Sequence, residues 1–341
     1  MHNKKHCGST ASHYDIECSS NLFRSLIQEF SMKHICIYGV GGVGGYIGGK
    51  IARMITDTNA DAKVFFIARG DHLKEIKKNG LILNTDDESG IICKPALATE
   101  NVSDVPKIDL CLLCVKSYDI NNAVVSLSSV IDDNTVIIPL LNGVDVTERI
   151  RSITTKGIVL PACVYVGTHI EKPGMVTQKG GSCTIFFGHD PVEKNFDPQP
   201  IFQLFDKSNI KYKWSDNPYI AIWEKFMFIS PFGLVTAAFN KTIGEVMQSQ
   251  ELISYIRSIA KELSQIAIKK NIPLPDNIVE LSISKGNNFP FETRTSFQRD
   301  VEQTGKNNEH DLFGGTVIRY GKQFGIPTPV TEQIYSKIKK N

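Results

Sequence analysis

The chain of 341 residues has little net charge, no long unbroken apolar run and no repeat. Lys and Arg number 38 against 36 Asp and Glu, a net of +2, so no bulk basicity argues for a nucleic-acid partner. The longest apolar run, residues 226–239 (FMFISPFGLVTAAF), is interrupted by Ser230, Pro231 and Gly233. A membrane span needs about 20 apolar residues, so no membrane partner is expected. The first residues also lack the apolar core of a signal peptide. Neither an internal repeat nor a low-complexity tract is present. Hydrophobic residues at 41% and charged residues at 22% are ordinary for a folded globular chain and exclude wholesale disorder. His169, His189 and His310 show no metal-ligand spacing, and no metal is expected.

The eight cysteines form no disulfide framework in a chain of this length. Cys111 and Cys114 make a C-x-x-C inside the apolar run DLCLLCVK. That run reads as a buried strand, on which residues three apart point to opposite faces. Core thiols in a reducing cytoplasm are therefore expected rather than a metal or redox pair.

At roughly 150 residues per domain, the length suggests about two domains. Residues 1–31 are polar and without clear period until 22–30, so they read as a leader or expression extension ahead of a folded part starting at Met32. A packed helix at 22–30 is the alternative. The strand 35–38 then runs directly into GVGGVGG, residues 39–45, followed by a helix-like segment at 46–55. In this context G-x-G-x-x-G is a dinucleotide-binding fingerprint. Gly39 permits the tight turn, Gly41 lets backbone approach a pyrophosphate and Gly44 lets helix pack on strand. Val40, Gly42 and Val43 complete the loop, whose helix N-terminus faces phosphate charge. The second strand, 63–68, ends at Arg69. An NAD site usually carries an acidic residue there for the ribose hydroxyl, whereas a guanidinium suits a 2′-phosphate, so NADP(H) is the expected cofactor.

A hairpin is expected from 80–84 to about 94, and buried strands at 110–115 and 135–140 end at Lys116 and Asn142. Ligands of open parallel sheets lie beyond such ends. Lys116 can serve the cofactor phosphates or nicotinamide, and Asn142 can touch substrate and nicotinamide together. Strands at 159–166, 174–178 and 183–188 and a helix at 201–208 would finish this domain. Past Asp216-Asn217-Pro218 the apolar period becomes helical, with one long helix at 247–270 and further helices at 290–304, 309–324 and 330–340. The expected architecture is α/β: a Rossmann-type dinucleotide-binding domain at 32–216, then an all-α substrate and catalytic domain at 217–341.

Seven motifs occur in order: GVGGVGG, IARG at 67–70, VKS at 115–117, LNGV at 141–144, IWEK at 222–225, TSFQRD at 295–300 and NEHD at 308–311. Together they make the chain, from Met32 to about residue 339, resemble ketopantoate reductase (2-dehydropantoate 2-reductase). The resemblance implies NADPH-dependent reduction of 2-dehydropantoate to pantoate, on the route to pantothenate and coenzyme A. It implies Lys225 as the catalytic lysine, Glu309 as the active-site glutamate, Thr295-Ser296 as the carboxylate- and hydroxyl-binding region and Asn142 as the asparagine after the fourth strand. Glu309 would either orient Lys225 or bind the nicotinamide ribose. The family often carries asparagines four and eight residues after the lysine; this chain has Ile229 and Gly233. The interval from Asp300 to Glu309 is one residue longer than in some relatives.

The chemistry fits these residues. Ketone reduction needs a proton donor and a counter-charge for the developing oxyanion, and an ammonium supplies both. With the 2-keto acid that the resemblance implies as the small-molecule partner, a homodimer is the candidate assembly. The competing readings are a reductase of another 2-keto acid or an imine, and a non-catalytic NADP(H) sensor.

Overall fold

The computed structural model describes residues 32–190, 196–303 and 307–339. The expectation for residues 1–31 lies outside them. The first half runs β1 (His34–Tyr38), α1 (Gly42–Thr58), β2 (Lys63–Ile67), α2 (Gly70–Asn79), β3 (Leu81–Asn84), β4 (Ile91–Cys93), β5 (Leu97–Thr99), β6 (Leu110–Leu113), α3 (Ile120–Leu127), β7 (Val136–Pro139), α4 (Val146–Arg151) and β8 (Ile158–Val159). Six of these strands form a parallel sheet in the order β5-β2-β1-β6-β7-β8. This is the doubly wound arrangement, whose order reverses between β1 and β6.

Both faces of that sheet are covered, so its strands are mostly apolar, and β6 (LCLL) and β7 (VIIP) are buried along their whole length. Ile35 and Ile37 of β1 pack with Ile47 and Ile51 of α1, while Cys36 between them packs with Cys111 and Ile120 on the other face. The C-x-x-C pair separates as strand alternation requires: Cys111 belongs to one core and Cys114 packs against the other, both as free thiols.

The hairpin β3–β4 forms as expected but leaves the main sheet. It joins β10 (Thr168–Lys172) and β11 (Met175–Gln178) in a second sheet, ordered β10-β11-β3-β4. That sheet presses on α1, where a Cβ at Gly45 would lie 2.6 Å from Val176 Cγ2. A third sheet, β13-β12-β9, is built from β9 (Ala162–Tyr165), β12 (Thr184–Gly188) and β13 (Lys211–Ser215), with α5 (Gln199–Lys207) before β13. The single strand expected at 159–166 is therefore two strands in different sheets. Pro161 falls at the break, where a residue without an N–H ends a ladder.

The helical half comprises α6 (Tyr219–Phe239), α7 (Ile243–Gln248), α8 (Gln250–Lys269), α9 (Ile278–Ser284), α10 (Ser296–Val301), α11 (Thr316–Phe324) and α12 (Pro329–Lys339). The helix expected at 247–270 is divided at Ser249, whose hydroxyl accepts from Leu252 N and starts α8. The expected helix at 290–304 shrinks to the six residues of α10. A π-helical turn, Asp311–Gly315, precedes α11. The apolar run around Pro231 stays one helix, since α6 continues through the proline. By length and composition α6 alone among the described residues could cross a membrane, but its most apolar stretch is 67% buried within the fold. It is the central helix of the second core, with Trp223, Phe226, Phe232 and Leu234 fully or almost fully buried.

Candidate active site

The glycine loop forms an open cradle at the reversal of strand order. Gly39 has φ +95°, and a Cβ there would stand 2.9 Å from the Cys114 carbonyl, so both conformation and space demand glycine. A Cβ at Gly44 would lie 2.1 Å from Gly39 O, which makes the turn close tightly on α1. At Gly41 the result is the opposite, because a Cβ there would meet nothing within 4 Å. Gly41 is the N-cap of α1, supplies no side-chain cap, and the first turn carries no acidic residue. Unsatisfied N–H groups at that helix end suit a pyrophosphate. Val40 is buried and Val43 packs against the core, so these two offer a ligand only their backbone.

Arg69 follows β2, is largely exposed, and its Nη2 donates to Asp119 Oδ2 at 3.1 Å. It shares a cleft of about 400 Å³ with Lys116, Tyr118, Asp119 and Asp300. Lys116 crosses from the nucleotide half to the helical half. Its Nζ donates to Asp300 Oδ2 at 2.6 Å and to Glu309 Oε2 at 3.1 Å, and the Ser117 amide donates to Glu309 Oε1 at 3.1 Å. Burial works against the Lys116 charge, but the Glu309 and Asp300 carboxylates outweigh it and raise its pKa.

Lys225, on the second turn of α6, faces the junction of the two halves. Its Nζ donates to Asn142 Oδ1 at 2.8 Å and to the Val164 carbonyl at 2.7 Å, and it lies 5.5 Å from the Tyr165 ring centre. Burial lowers its pKa, opposed by the Cys163 thiol and the Glu309 carboxylate. Glu309 therefore feels Lys225 electrostatically, but its hydrogen bonds go to Lys116 and Ser117. Asn142 and Val164 are the groups that orient Lys225.

Thr295 is the N-cap of α10: its Oγ1 accepts from Gln298 N at 3.1 Å and pairs with Thr236 Oγ1 at 2.9 Å. Its hydroxyl is thus committed to local structure, while Ser296 beside it is exposed. Ile229 and Gly233 follow Lys225 at intervals of four residues, along one side of α6. Gly233 is buried, and a Cβ there would touch Phe297 and Phe313, each at 3.5 Å. The Val164 carbonyl and the Ser117 amide escape sequence reading, because backbone groups carry no residue-type signal. Asp300 falls within the TSFQRD motif, but its pairing with Lys116 spans 184 residues.

A doubly wound parallel sheet, a glycine cradle at its switch point and a part-buried lysine between two halves define an oxidoreductase with a nicotinamide dinucleotide cofactor. The model described as "Ketopantoate reductase PanE/ApbA" matches residues 35–191, and its C-terminal counterpart matches residues 220–341. The chain belongs to the ketopantoate reductase PanE/ApbA family. A 2-dehydropantoate 2-reductase of Pyrococcus horikoshii is 25% identical over 307 residues, covering 89% of this chain and 96% of that protein. An uncharacterized oxidoreductase, YkpB of Bacillus subtilis, is 23% identical over 302 residues, with coverages of 89% and 96%. The crystal structure of a PanE/ApbA family ketopantoate reductase from Ralstonia eutropha superposes with TM-score 0.80 at 25% identity, covering 90% and 97% of the two chains. A ternary structure of D-mandelate dehydrogenase with NADH and anilino(oxo)acetate shares the fold, at TM-score 0.78, 19% identity and coverages of 90% and 97%.

Proposed function

We propose that this oxidoreductase uses NADPH to reduce the ketone of a 2-keto acid, and that 2-dehydropantoate, giving pantoate for pantothenate and coenzyme A synthesis, is its substrate. One observation carries the reading: an ammonium has three N–H groups, and Lys225 spends two on Asn142 and Val164. The third remains for a carbonyl oxygen in the junction. Bound nicotinamide supplies the hydride. Lys225 steadies the negative charge that grows on the ketone oxygen and then donates its proton there. Its lowered pKa makes it a readier acid than a surface lysine. Exposed Ser296 is assigned to the substrate carboxylate. We assign Lys116 and Glu309 to the cofactor side of the cleft, Glu309 as a partner of a ribose hydroxyl. The cysteines among the described residues are free thiols, in keeping with a cytoplasmic enzyme.

The NADP assignment rests on Arg69. Charge-assisted bonds to a phosphate contribute about 1.5–3 kcal/mol each, enough for roughly a tenfold preference or more. We expect kcat/KM to favour NADPH over NADH by that margin, and Arg69→Ala to erase the difference. Equal values in the unaltered protein would remove the assignment.

A second reading, another 2-keto acid on the same scaffold, is favoured by Ile229 and Gly233, which offer no hydrogen bond to a substrate hydroxyl. Two substrates separate the readings: 2-dehydropantoate and 3,3-dimethyl-2-oxobutanoate, which differ by that one hydroxyl. A site built to bond the hydroxyl rejects the deoxy analogue strongly, by about 10⁴-fold in favourable cases, whereas an apolar wall does not. A higher kcat/KM for 2-dehydropantoate supports the first reading. A higher value for the analogue supports the second, and NADPH binding without turnover of either would point to a sensor.

A further inference from the structure

Asn142 accepts from the Lys225 ammonium, yet it sits in a turn between β7 and α4. Three residues on, Asp145 ends that turn as the N-cap of α4. Its side chain is buried, and its Oδ2 gathers three donors: Arg149 Nε at 2.9 Å, Thr316 Oγ1 at 3.0 Å and Arg319 Nη2 at 3.3 Å. Arg149 belongs to α4, whereas Thr316 and Arg319 belong to α11 in the helical half. Thr316 Oγ1 in turn accepts from Arg149 Nη2 at 3.1 Å and from Arg319 Nη2 at 3.0 Å. Asp311 closes the ring on the outside, accepting from Arg149 Nη2 at 3.0 Å and from Arg319 Nη1. Two carboxylates and two guanidiniums balance, so the cluster holds without net charge.

The same turn has a second seat on the helical half. Gly143 has φ +119°, and a Cβ there would fall 2.5 Å from Leu312 Cδ1. Leu312 lies in the π-helical turn Asp311–Gly315, which begins two residues after Glu309 and is tied to it by Phe313 N donating to Glu309 O at 3.1 Å. The same junction therefore locates Asn142 and Glu309 together. Small errors in such placement cost much rate, since about 1 Å of misplacement can cost 10²-fold.

We propose that Asp145 is a positioning residue for the reduction: clasped by Arg149, Thr316 and Arg319, it fixes the Asn142 turn on the helical half so that Asn142 Oδ1 meets the Lys225 ammonium. The proposal rests on the reading of Lys225 as proton donor. Asp145 does not touch substrate or cofactor; it acts through Asn142.

Asp145→Asn keeps the shape and removes the charge that draws in both guanidiniums. In the full chain it should lower kcat about tenfold or more, with a smaller change in NADPH affinity by fluorescence titration. The decisive reading is a double-mutant cycle with Asn142→Ala. If Asp145 works through Asn142, adding Asp145→Asn to Asn142→Ala costs little further kcat. An equal loss in both backgrounds, or an unchanged kcat with a lowered melting temperature, marks Asp145 as a structural residue only and overturns the proposal. Should Asp145→Asn fail to fold, Thr316→Val removes one donor to Asp145, keeps the ion pairs and is read through the same cycle. The function reading fails separately, if the unaltered protein turns over no 2-keto acid or if Lys225→Ala keeps its kcat.

Discussion

Lys225→Ala is expected to lower kcat by roughly 10²–10⁴-fold, the usual contribution of a positioned general acid, while NADPH binding stays near normal. The substrate KM should rise as well, because the ammonium also holds the ketone oxygen. Lys225→Arg should not restore the rate: a guanidinium is a poor acid at neutral pH, and its planar fork does not match the Asn142 and Val164 acceptors. The pH dependence has a definite sign. Lys225 must be protonated to act, so kcat falls as pH rises through its pKa. Burial lowers that pKa, which places the falling limb below about 10.4, the ordinary lysine value. Steady-state kinetics against pH check both points, and the limb should vanish in Lys225→Ala. A variant that kept most of its kcat would make Lys225 a bystander.

Gly41→Val should raise the NADPH Kd by about ten- to hundredfold for each hydrogen bond to the pyrophosphate that it prevents, since such bonds contribute about 1.5–3 kcal/mol. Its melting temperature should hardly move. The reason is local: a side chain at Gly41 meets no protein atom within 4 Å, and φ of −88° is open to any L-residue. The added methyls would stand in the cradle itself. Gly44→Ala is the contrasting case. There the new Cβ would strike Gly39 O at 2.1 Å, so stability should fall together with binding. Thermal melts beside NADPH titrations separate the two. Equal destabilisation of both variants would mean that the glycines serve packing alone.

Residues whose roles are set by near neighbours were readable from the chain alone. The cradle of Gly39, Gly41 and Gly44 is a strand–turn–helix signal within a dozen residues, and Lys116 and Asn142 follow the ends of parallel strands. The order of motifs alone singles out Lys225, since a lysine near the start of an apolar helix otherwise reads as surface. What could not be read depends on distant partners. Asn142 and Lys225 are 83 residues apart, Lys116 and Glu309 are 193, and Asp145 and Thr316 are 171. The hairpin β3–β4 is legible as a hairpin, but not the sheet it joins, because periodicity gives a strand and not its neighbour. Pro161 and Ser249 each divided an element whose apolar period ran on across the break. Glu309 has two readings from the chain; its hydrogen bonds go to Lys116 and Ser117, not to Lys225.

The central claim is that this chain transfers a hydride to a 2-keto acid with Lys225 as the acid. The most direct measurement incubates the full chain with NADPH and 2-dehydropantoate, alongside 3,3-dimethyl-2-oxobutanoate, and follows nicotinamide absorbance with chromatography of the product. The account predicts that each NADPH oxidised yields one 2-hydroxy acid, and that Lys225→Ala loses this turnover while still binding NADPH. NADPH that binds but is not oxidised by either keto acid, or turnover that survives in Lys225→Ala, would contradict it.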